Sequence, residues 1–373
     1  MPMRWPWQTP ETRSAQASLI ALSSLPDGRW GRNDAGTLMR DGFAGNAVVY
    51  RCVRMIAEAA ASIPLTCADA GVAELLSRPS PEEAGRVLLE RLYGDLQITG
   101  NAWAEAVTLA GDRMPKGLFA LRADTVRAET NSQGGLTGWA IRRRRGERVV
   151  HREADGWSPV LHLKLYHPSD GVYGLSPLAA ARKALDLHNG AAAWAKALID
   201  NAARPSGALV YGCDGATLTP TQFDRLKNEL ETAHAGKLNA GRPLLLDGGL
   251  DWKPMSLSPA EMDFAGTRHA AAREIALAFG VPPMLLGIPG DNTYATYKEA
   301  NSAFWRLTVL PLVTKVADAL AIWLSGRFDD VEIRPDLDEV PAFASEREAL
   351  WARLETASFL SAEEKRTLAG VRR

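Results

Sequence analysis

The stretch from Ser258 to Gly326 constrains this chain more than any other. It reads as a helix, an abrupt stop, a polar loop and then a long apolar helix. Ser258 is placed to cap the first helix, Pro259 fits its first position, and Glu261 stands three residues after the cap, as in a capping box. Gly280 tolerates the left-handed conformation that ends helices, and Pro282 and Pro283 forbid continuation. A loop rich in Gly, Pro, Asp, Asn and Thr runs from Gly287 to about Thr296, and the second helix is expected from about Tyr297. Val309, Leu312, Val313, Val316, Leu320 and Trp323 recur at helical spacing among other apolar residues, so that helix is covered on most sides. Pro311 in its middle removes one backbone hydrogen bond and is expected to bend the axis.

Another long helix precedes it. Ser176-Pro177 opens an Ala-rich segment expected to reach about Ala203, on the order of 40 Å at about 1.5 Å per residue. Leu178, Leu185, Leu187, Trp194 and Leu198 are thinly spread among its alanines. Such a stripe suits close packing of helix on helix, including helices of neighbouring copies; an ordinary single-chain bundle is the alternative. Residues 204–257 lie between the two long helices as a compact insert. Its expected parts are a strand at Ala208–Tyr211, a helix opened by Thr219-Pro220-Thr221-Gln222, and strands Pro243–Asp247 and Leu250–Ser256 about Gly248-Gly249. Phe223, Leu226, Leu230 and Ala233 would share one face of that helix, which ends at Gly236. Two long helices bracketing a small unit put it at the end of a stalk.

Ahead of the stalk, residues 41–175 read as an α+β region. Asn46 caps a helix whose Val49, Cys52, Val53 and Ile56 share a face, and Pro64 ends it. Ser80-Pro81-Glu82-Glu83 reads as a capping box for a helix carrying Val87, Leu88, Leu92, Leu96 and Ile98. Strands are expected at Trp103–Leu109, Leu118–Leu121, Val126–Glu129, Leu136–Arg144, Arg148–Arg152 and Val160–Tyr166, with a hairpin turn at Gly146-Glu147. Residues 1–40 lack periodicity and read as an extended, partly disordered arm. Its Trp5, Trp7 and Trp30 either anchor it on a neighbour or touch their own domain. Past Gly326 come a strand at Val331–Arg334, an acidic loop at Asp336–Glu339, a helical stretch at Ser345–Ala357 and a last helix capped by Ser361 with Glu364.

The run EIALAFGVPPMLLGIPGDNTYATYKEANSAFWRLTVLPL resembles the signature of the portal proteins of long-tailed double-stranded DNA phages. In that family a stem helix ends at a Val-Pro-Pro turn, a loop with a Thr-Tyr element projects into a central channel, and a long kinked helix follows. The family's usual Thr-Tyr-Ser-Asn element reads Thr293-Tyr294-Ala295-Thr296 here. NAVVYRCVRMIAEAAASIPL and LYGDLQITGNAWAEAV resemble the portal wing, and the Ala-rich segment resembles the first stem helix. The resemblance spans roughly residues 41 to 340.

It implies an α+β, portal-type fold in eight parts. They are an arm (1–40), a wing (41–175), a first stem helix (176–203), a small α/β clip (204–257) and a second stem helix (258–281). A channel loop (282–296), a long kinked helix returning to the wing (297–340) and a short helical crown (341–373) follow. Gly280, Pro282 and Pro283 would make the turn and Pro311 the kink. The resemblance also implies a closed ring, typically of twelve copies, at one capsid vertex of a phage or phage-like gene transfer particle. Double-stranded DNA is packaged and ejected through that ring, which joins head to tail. Its partners would be the major capsid protein, the terminase large subunit, a head–tail adaptor and DNA held without sequence specificity; no cofactor, metal or membrane is implied. Asn292, Thr293, Tyr294, Tyr297 and Lys298 would touch phosphates or sugars, with Lys298 the strongest phosphate contact. The plain alternative is a surface loop with a solvated lysine.

Charge and motifs narrow the rest. The 373 residues carry a net charge of −1, whereas tight DNA binders show a basic excess, because affinity grows with each phosphate neutralised. That argues against a DNA-binding regulator but not against a channel in which DNA slides. No apolar run approaches the roughly 20 residues that span a bilayer, and the first residues lack the apolar core of a secretory signal. Cys52, Cys67 and Cys213 form no CxxC pair and read as buried thiols. His151, His162, His167 and His188 lack metal-site spacing, and Arg142–Arg145 reads as the solvated end of a hairpin. There is no phosphate loop and no GxSxG elbow, so no chemistry is expected. Two rivals stand beside the portal reading. One is a minor head or scaffold protein without a channel. The other is a hydrolase with a dispersed site around His162, His167 and Asp170.

Overall fold

A computed structural model describes residues 34–109, 112–132, 135–200, 207–211, 250–254, 263–289, 294–338 and 340–369, with isolated positions between 219 and 228. The elements in chain order begin with α1 (Ala35–Thr37), which runs on as a π-helical turn, Leu38–Phe43. Asp34 caps it by accepting the Thr37 N–H at 3.1 Å, and Leu38 is buried. The expectation of an arm extending to residue 40 is therefore corrected: Leu38 reaches the core and draws this segment into a helix. Trp5, Trp7 and Trp30 lie outside the described residues.

Helix α2 (Ala47–Ala61) starts where its capping signal lies, with Asn46 accepting the N–H groups of Val48 and Val49. Its Val49, Cys52, Val53 and Ile56 are all buried, and burial pushes the Cys52 thiol up to about 12. Strand β1 (Leu65–Cys67) and helix α3 (Ala70–Ser77), capped by Asp69, follow. The next helix, α4 (Gly85–Thr99), starts later than Ser80 would place it. Ser80 instead bridges Glu83 across a turn. At Gly85 a Cβ would sit 1.6 Å from the Leu76 carbonyl, so glycine lets the chain pass α3 there.

Strands β2 (Asn101–Thr108), β3 (Pro115–Leu121), β4 (Val126–Thr130), β5 (Leu136–Arg143), β6 (Gly146–His151) and β7 (Val160–Lys164) build two three-stranded antiparallel sheets, β3-β2-β7 and β4-β5-β6. Trp103, Val126, Trp139, Ile141 and Val160 form a small core from strands of both sheets. The β5–β6 turn is Arg144-Arg145, not Gly146-Glu147, because Gly146 already pairs with Arg143, at φ 130. Helix α5 (Pro177–Ala180) is capped by Ser176 and leads through Ala181 into α6 (Arg182–Asp200), so the expected single rod has an irregular joint.

In the insert, β8 (Gly207–Tyr211) pairs antiparallel with β9 (Leu250–Pro254). Thr221, Asp224, Arg225 and Asn228 are helical, while Phe223, Leu226, Leu230, Ala233, Gly236, the strand expected at Pro243–Asp247 and the turn at Gly248-Gly249 lie outside the described residues. Helix α7 (Phe264–Ala278) begins at Asp263, whose carboxylate accepts the Gly266 N–H at 2.9 Å. Asp263 has φ 37, which an unbroken helix from Ser258 would not allow; Ser258 and Glu261 themselves lie outside the described residues.

The long apolar helix is composite. It comprises α8 (Tyr294–Phe304), a π-helical turn (Trp305–Val309) and α9 (Leu310–Leu324). Thr296–Leu324, 29 residues, includes an 18-residue window of mean hydropathy 1.7, long and apolar enough by length and composition to cross a membrane. That corrects the expectation that no such run exists. Val313, Val316, Ala317, Leu320 and Leu324 of this run lie in the main core with α2 and α4. Strand β10 (Ile333–Pro335) returns to pair with β1, and α10 (Ala344–Thr356) and α11 (Ala362–Leu368) close the described chain. Ser361 and Glu364 exchange hydrogen bonds at the start of α11.

Candidate nucleic-acid interface

The turn after α7 is fixed by backbone chemistry. Val281 N–H donates to the Ala276 carbonyl at 2.9 Å and Gly280 N–H to Leu277 at 3.0 Å, the paired bonds of a Schellman cap. Gly280 holds φ 67, and Val281 buries its side chain beside the cap. Pro282 follows, and Pro283–Leu286 form a 3-10 turn that ends at Gly287, φ 71. Arg273 of α7 donates to the Pro289 carbonyl and holds the outgoing chain against the helix.

Beyond Pro289 the chain heads for α8. Asn292 and Thr293 lie outside the described residues, and Tyr294 is the first residue of α8. Tyr297 is 52% exposed, and Lys298 and Glu299 beside it are exposed as well. The structure therefore brings Tyr294, Tyr297 and Lys298 together on the first turns of one helix, three residues earlier in the chain than the expected helix start. The exposed phenol and ammonium can donate hydrogen bonds to phosphate oxygens without reading a base.

Pro311 lies in the first turn of α9, directly after the π-helical turn. A proline in a regular helix lacks the N–H for the carbonyl four residues back and its ring collides with that group. The wider turn accommodates it: Leu310 N–H reaches the Trp305 carbonyl, five residues back. Thr308, within this turn, donates its hydroxyl to the Gly280 carbonyl at 2.6 Å. The turn after α7 and the irregular turn before Pro311 are thus tied together. Sequence reasoning missed this tie; a threonine between Leu307 and Val309 was its one visible signal.

The α6 rod rests on a polar foundation. Arg182, buried, pairs with Asp41 at 3.3 Å and Asp186 at 3.0 Å. Asn46 donates to Asn189 at 2.7 Å and lies 2.9 Å from His188 Nδ1, and Asn189 donates to the Asp41 carbonyl at 3.0 Å. Farther along, α6 packs on α7, where Trp194 meets Phe264 edge to face at 4.7 Å. The pair leaves large apolar side chains in solvent: Leu187 at 47% and Trp194 at 44% on α6, Leu277 at 79% on α7 and Leu307 at 77% on the π-helical turn.

The residues of the hydrolase alternative are engaged structurally. His162 stacks on Trp103 at 4.8 Å, meets Trp139 at 4.7 Å and lies 2.9 Å from the Asn101 amide oxygen. Burial, with Lys164 adding to it, lowers its pKa to about 4. His167 Nδ1 accepts backbone N–H groups of Ser169 and Asp170, and Asp170 accepts those of Val172 and Tyr173. In the basic run, Arg143 and neighbouring Arg148 both pair with Glu105, and Arg142 donates to the Asp124 carbonyl at 3.3 Å. Among the described residues no cluster of His, Cys, Asp and Glu could hold a metal ion.

The sequence model of the family "Phage portal protein" matches residues 47–370. The chain belongs to the phage portal protein family. Relatives of this portal protein include a Rickettsia bellii (strain RML369-C) protein, 40% identical over 342 residues, covering 89% of this chain and 88% of that one. The "Probable portal protein" of Streptomyces phage phiC31 is 29% identical over 334 residues, covering 82% of this chain and 70% of its own length. Among solved structures, a chain in the "Neck of native GTA particle computed with C12 symmetry" is 51% identical. It covers 95% of this chain and 98% of that one with a TM-score of 0.70. The α+β fold is accordingly the portal fold.

Proposed function

We propose that twelve copies of this portal protein close into a ring at one vertex of a phage-like gene transfer particle, and that double-stranded DNA enters and leaves along the ring axis. The observation that carries this reading is the near full-length likeness, at 51% identity, to a chain of a gene transfer agent neck resolved with twelvefold symmetry. The exposed apolar residues of the α6–α7 pair support it. A cyclic ring uses head-to-tail contacts between unlike surfaces, and Leu187 and Trp194 lie on one rod while Leu277 lies on the other.

In this reading residues 41–175 form the wing, α6 and α7 the stem, residues 204–257 the clip, and α10 with α11 the crown. Residues 282–296 and the start of α8 approach the channel, where Asn292, Thr293, Tyr294, Tyr297 and Lys298 brush the DNA backbone. Capsid protein, terminase and a head–tail adaptor would bind the outer surfaces. The part is structural, not catalytic. Particle mass under assembly conditions tests it: a species of about twelve subunits supports the ring, and a persistent monomer or dimer contradicts it.

A further inference from the structure

A groove unrelated to the stem lies between the first helical turns (residues 35–43), α2, α4 and the end of β3. It holds about 470 Å³, within the range of roughly 300–1,000 Å³ typical of small-molecule sites. Apolar side chains, including Met39, Phe43, Val53, Val87, Ile98 and Leu121, line it alongside charged ones. Two neighbouring residues of α4 set it apart from a packing defect. One is Asp95, whose carboxylate is reached by no hydrogen bond or ion pair among the described residues. The other is Gly94, where an added Cβ would meet no atom within 4 Å. A glycine inside a helix weakens it relative to alanine, and packing does not demand one here. Its effect is to keep the groove floor bare beside the carboxylate.

The charges around the groove say what is missing. Its four arginines already have carboxylate partners: Arg40 with Asp41, Arg54 with Glu58, Arg91 with Glu83 and Arg122 with Asp124. Of the groove's carboxylates, Glu90 and Asp95 are left without an ion pair among the described residues, and Asp95 is the one beside Gly94. Burial pushes its pKa up to about 7, with Asp124 adding to it, against the opposing pull of Arg91 and Arg122. A cation brought onto it would regain part of what the carboxylate lost on leaving water.

We infer that this groove binds a primary alkylammonium ligand, its charge on Asp95 and its aliphatic stem along the bare floor at Gly94 and the apolar side chains. Titration calorimetry on the full chain tests this with n-hexylamine, which is charged throughout, and 1-hexanol, its neutral counterpart. At pH 8.5 hexylammonium should bind at least about tenfold tighter than hexanol, as a charge-assisted hydrogen bond provides. Asp95→Asn should remove that preference while hexanol binding persists. Gly94→Leu, which fills the groove, should weaken both ligands without lowering the melting temperature. At pH 5.5 the preference should narrow in the native chain. Glu90 and Arg91 on α4, Arg54 on α2, Arg40 from the first helical turns, and Arg122 and Asp124 from the end of β3 also face the groove. Comparison with Asp95→Asn separates the Asp95 titration from theirs. Equal affinities, a preference that survives Asp95→Asn, or absence of saturable binding would overturn the inference. So would binding of the peptide acetyl-Leu-Lys-Leu-amide when hexylamine does not bind.

Discussion

Gly280→Ala probes the tie between the end of α7 and the turn before Pro311. Two costs are readable from the structure. The backbone sits at φ 67, where a side chain costs roughly 1–2 kcal/mol. The new Cβ would also lie 2.7 Å from Thr308 Oγ1, so the hydroxyl must turn away and its 2.6 Å bond to the Gly280 carbonyl is lost, at about 1 kcal/mol. Gly280→Ala should therefore destabilise the subunit by about 2–3 kcal/mol. Thr308→Ala removes the hydroxyl alone and should cost about 1 kcal/mol. In the double variant the collision has no partner, so the sum of the single effects should exceed the double by about 1 kcal/mol. Urea unfolding of the unassembled subunit, followed by tryptophan fluorescence, measures all three. Additive effects, or a Gly280→Ala cost below about 0.5 kcal/mol, would refute the tie.

Three further outcomes are expected. Lys298→Glu should leave subunit stability and ring formation intact but lower the DNA packaged per particle; normal packaging would remove Lys298 from the DNA path. Leu277→Glu should change subunit stability by less than about 0.5 kcal/mol, since its site is exposed, while sharply reducing ring yield in sedimentation; full assembly would exclude this face from the interface. The half-buried His162 makes stability depend on acid: its folded pKa, about 4, lies below the unfolded value. Its contribution is complete above about pH 6.5 and is lost as pH falls toward 4, up to about 3 kcal/mol. His162→Gln should flatten that part of the stability–pH curve, and an unchanged curve would assign the acid sensitivity elsewhere.

Local chemistry made much of the fold legible. Asn46, Ser176-Pro177 and the Ser361–Glu364 pair mark helix starts because a cap is settled within three residues of chain. The Gly280-Val281-Pro282-Pro283 run likewise places the end of α7. Where the same signals misled, a longer-range constraint won. Ser80 has the residues of a capping box, yet close approach of α3 to Gly85 delays the helix. The β5–β6 turn falls at Arg144-Arg145 because strand register, not turn propensity, fixes it. The β1–β10 pairing joins Leu65 to Pro335, a closure no local pattern announces. At the candidate interface, the family signature names Tyr294, Tyr297 and Lys298, and the structure places them at the start of α8. Thr308, Arg182 with Asp41, and the Asp95 groove were not legible, since each depends on residues that only the folded chain brings together.

The arrangement of copies around the stem is the point on which the portal reading turns, and electron cryomicroscopy of the purified assembly measures it. A ring of twelve, with α6 of one copy against α7 of the next and Lys298 facing the central opening, is the expected result. Copies that remain separate, or that associate with Leu187, Trp194 and Leu277 still in solvent and no opening at the centre, would contradict it.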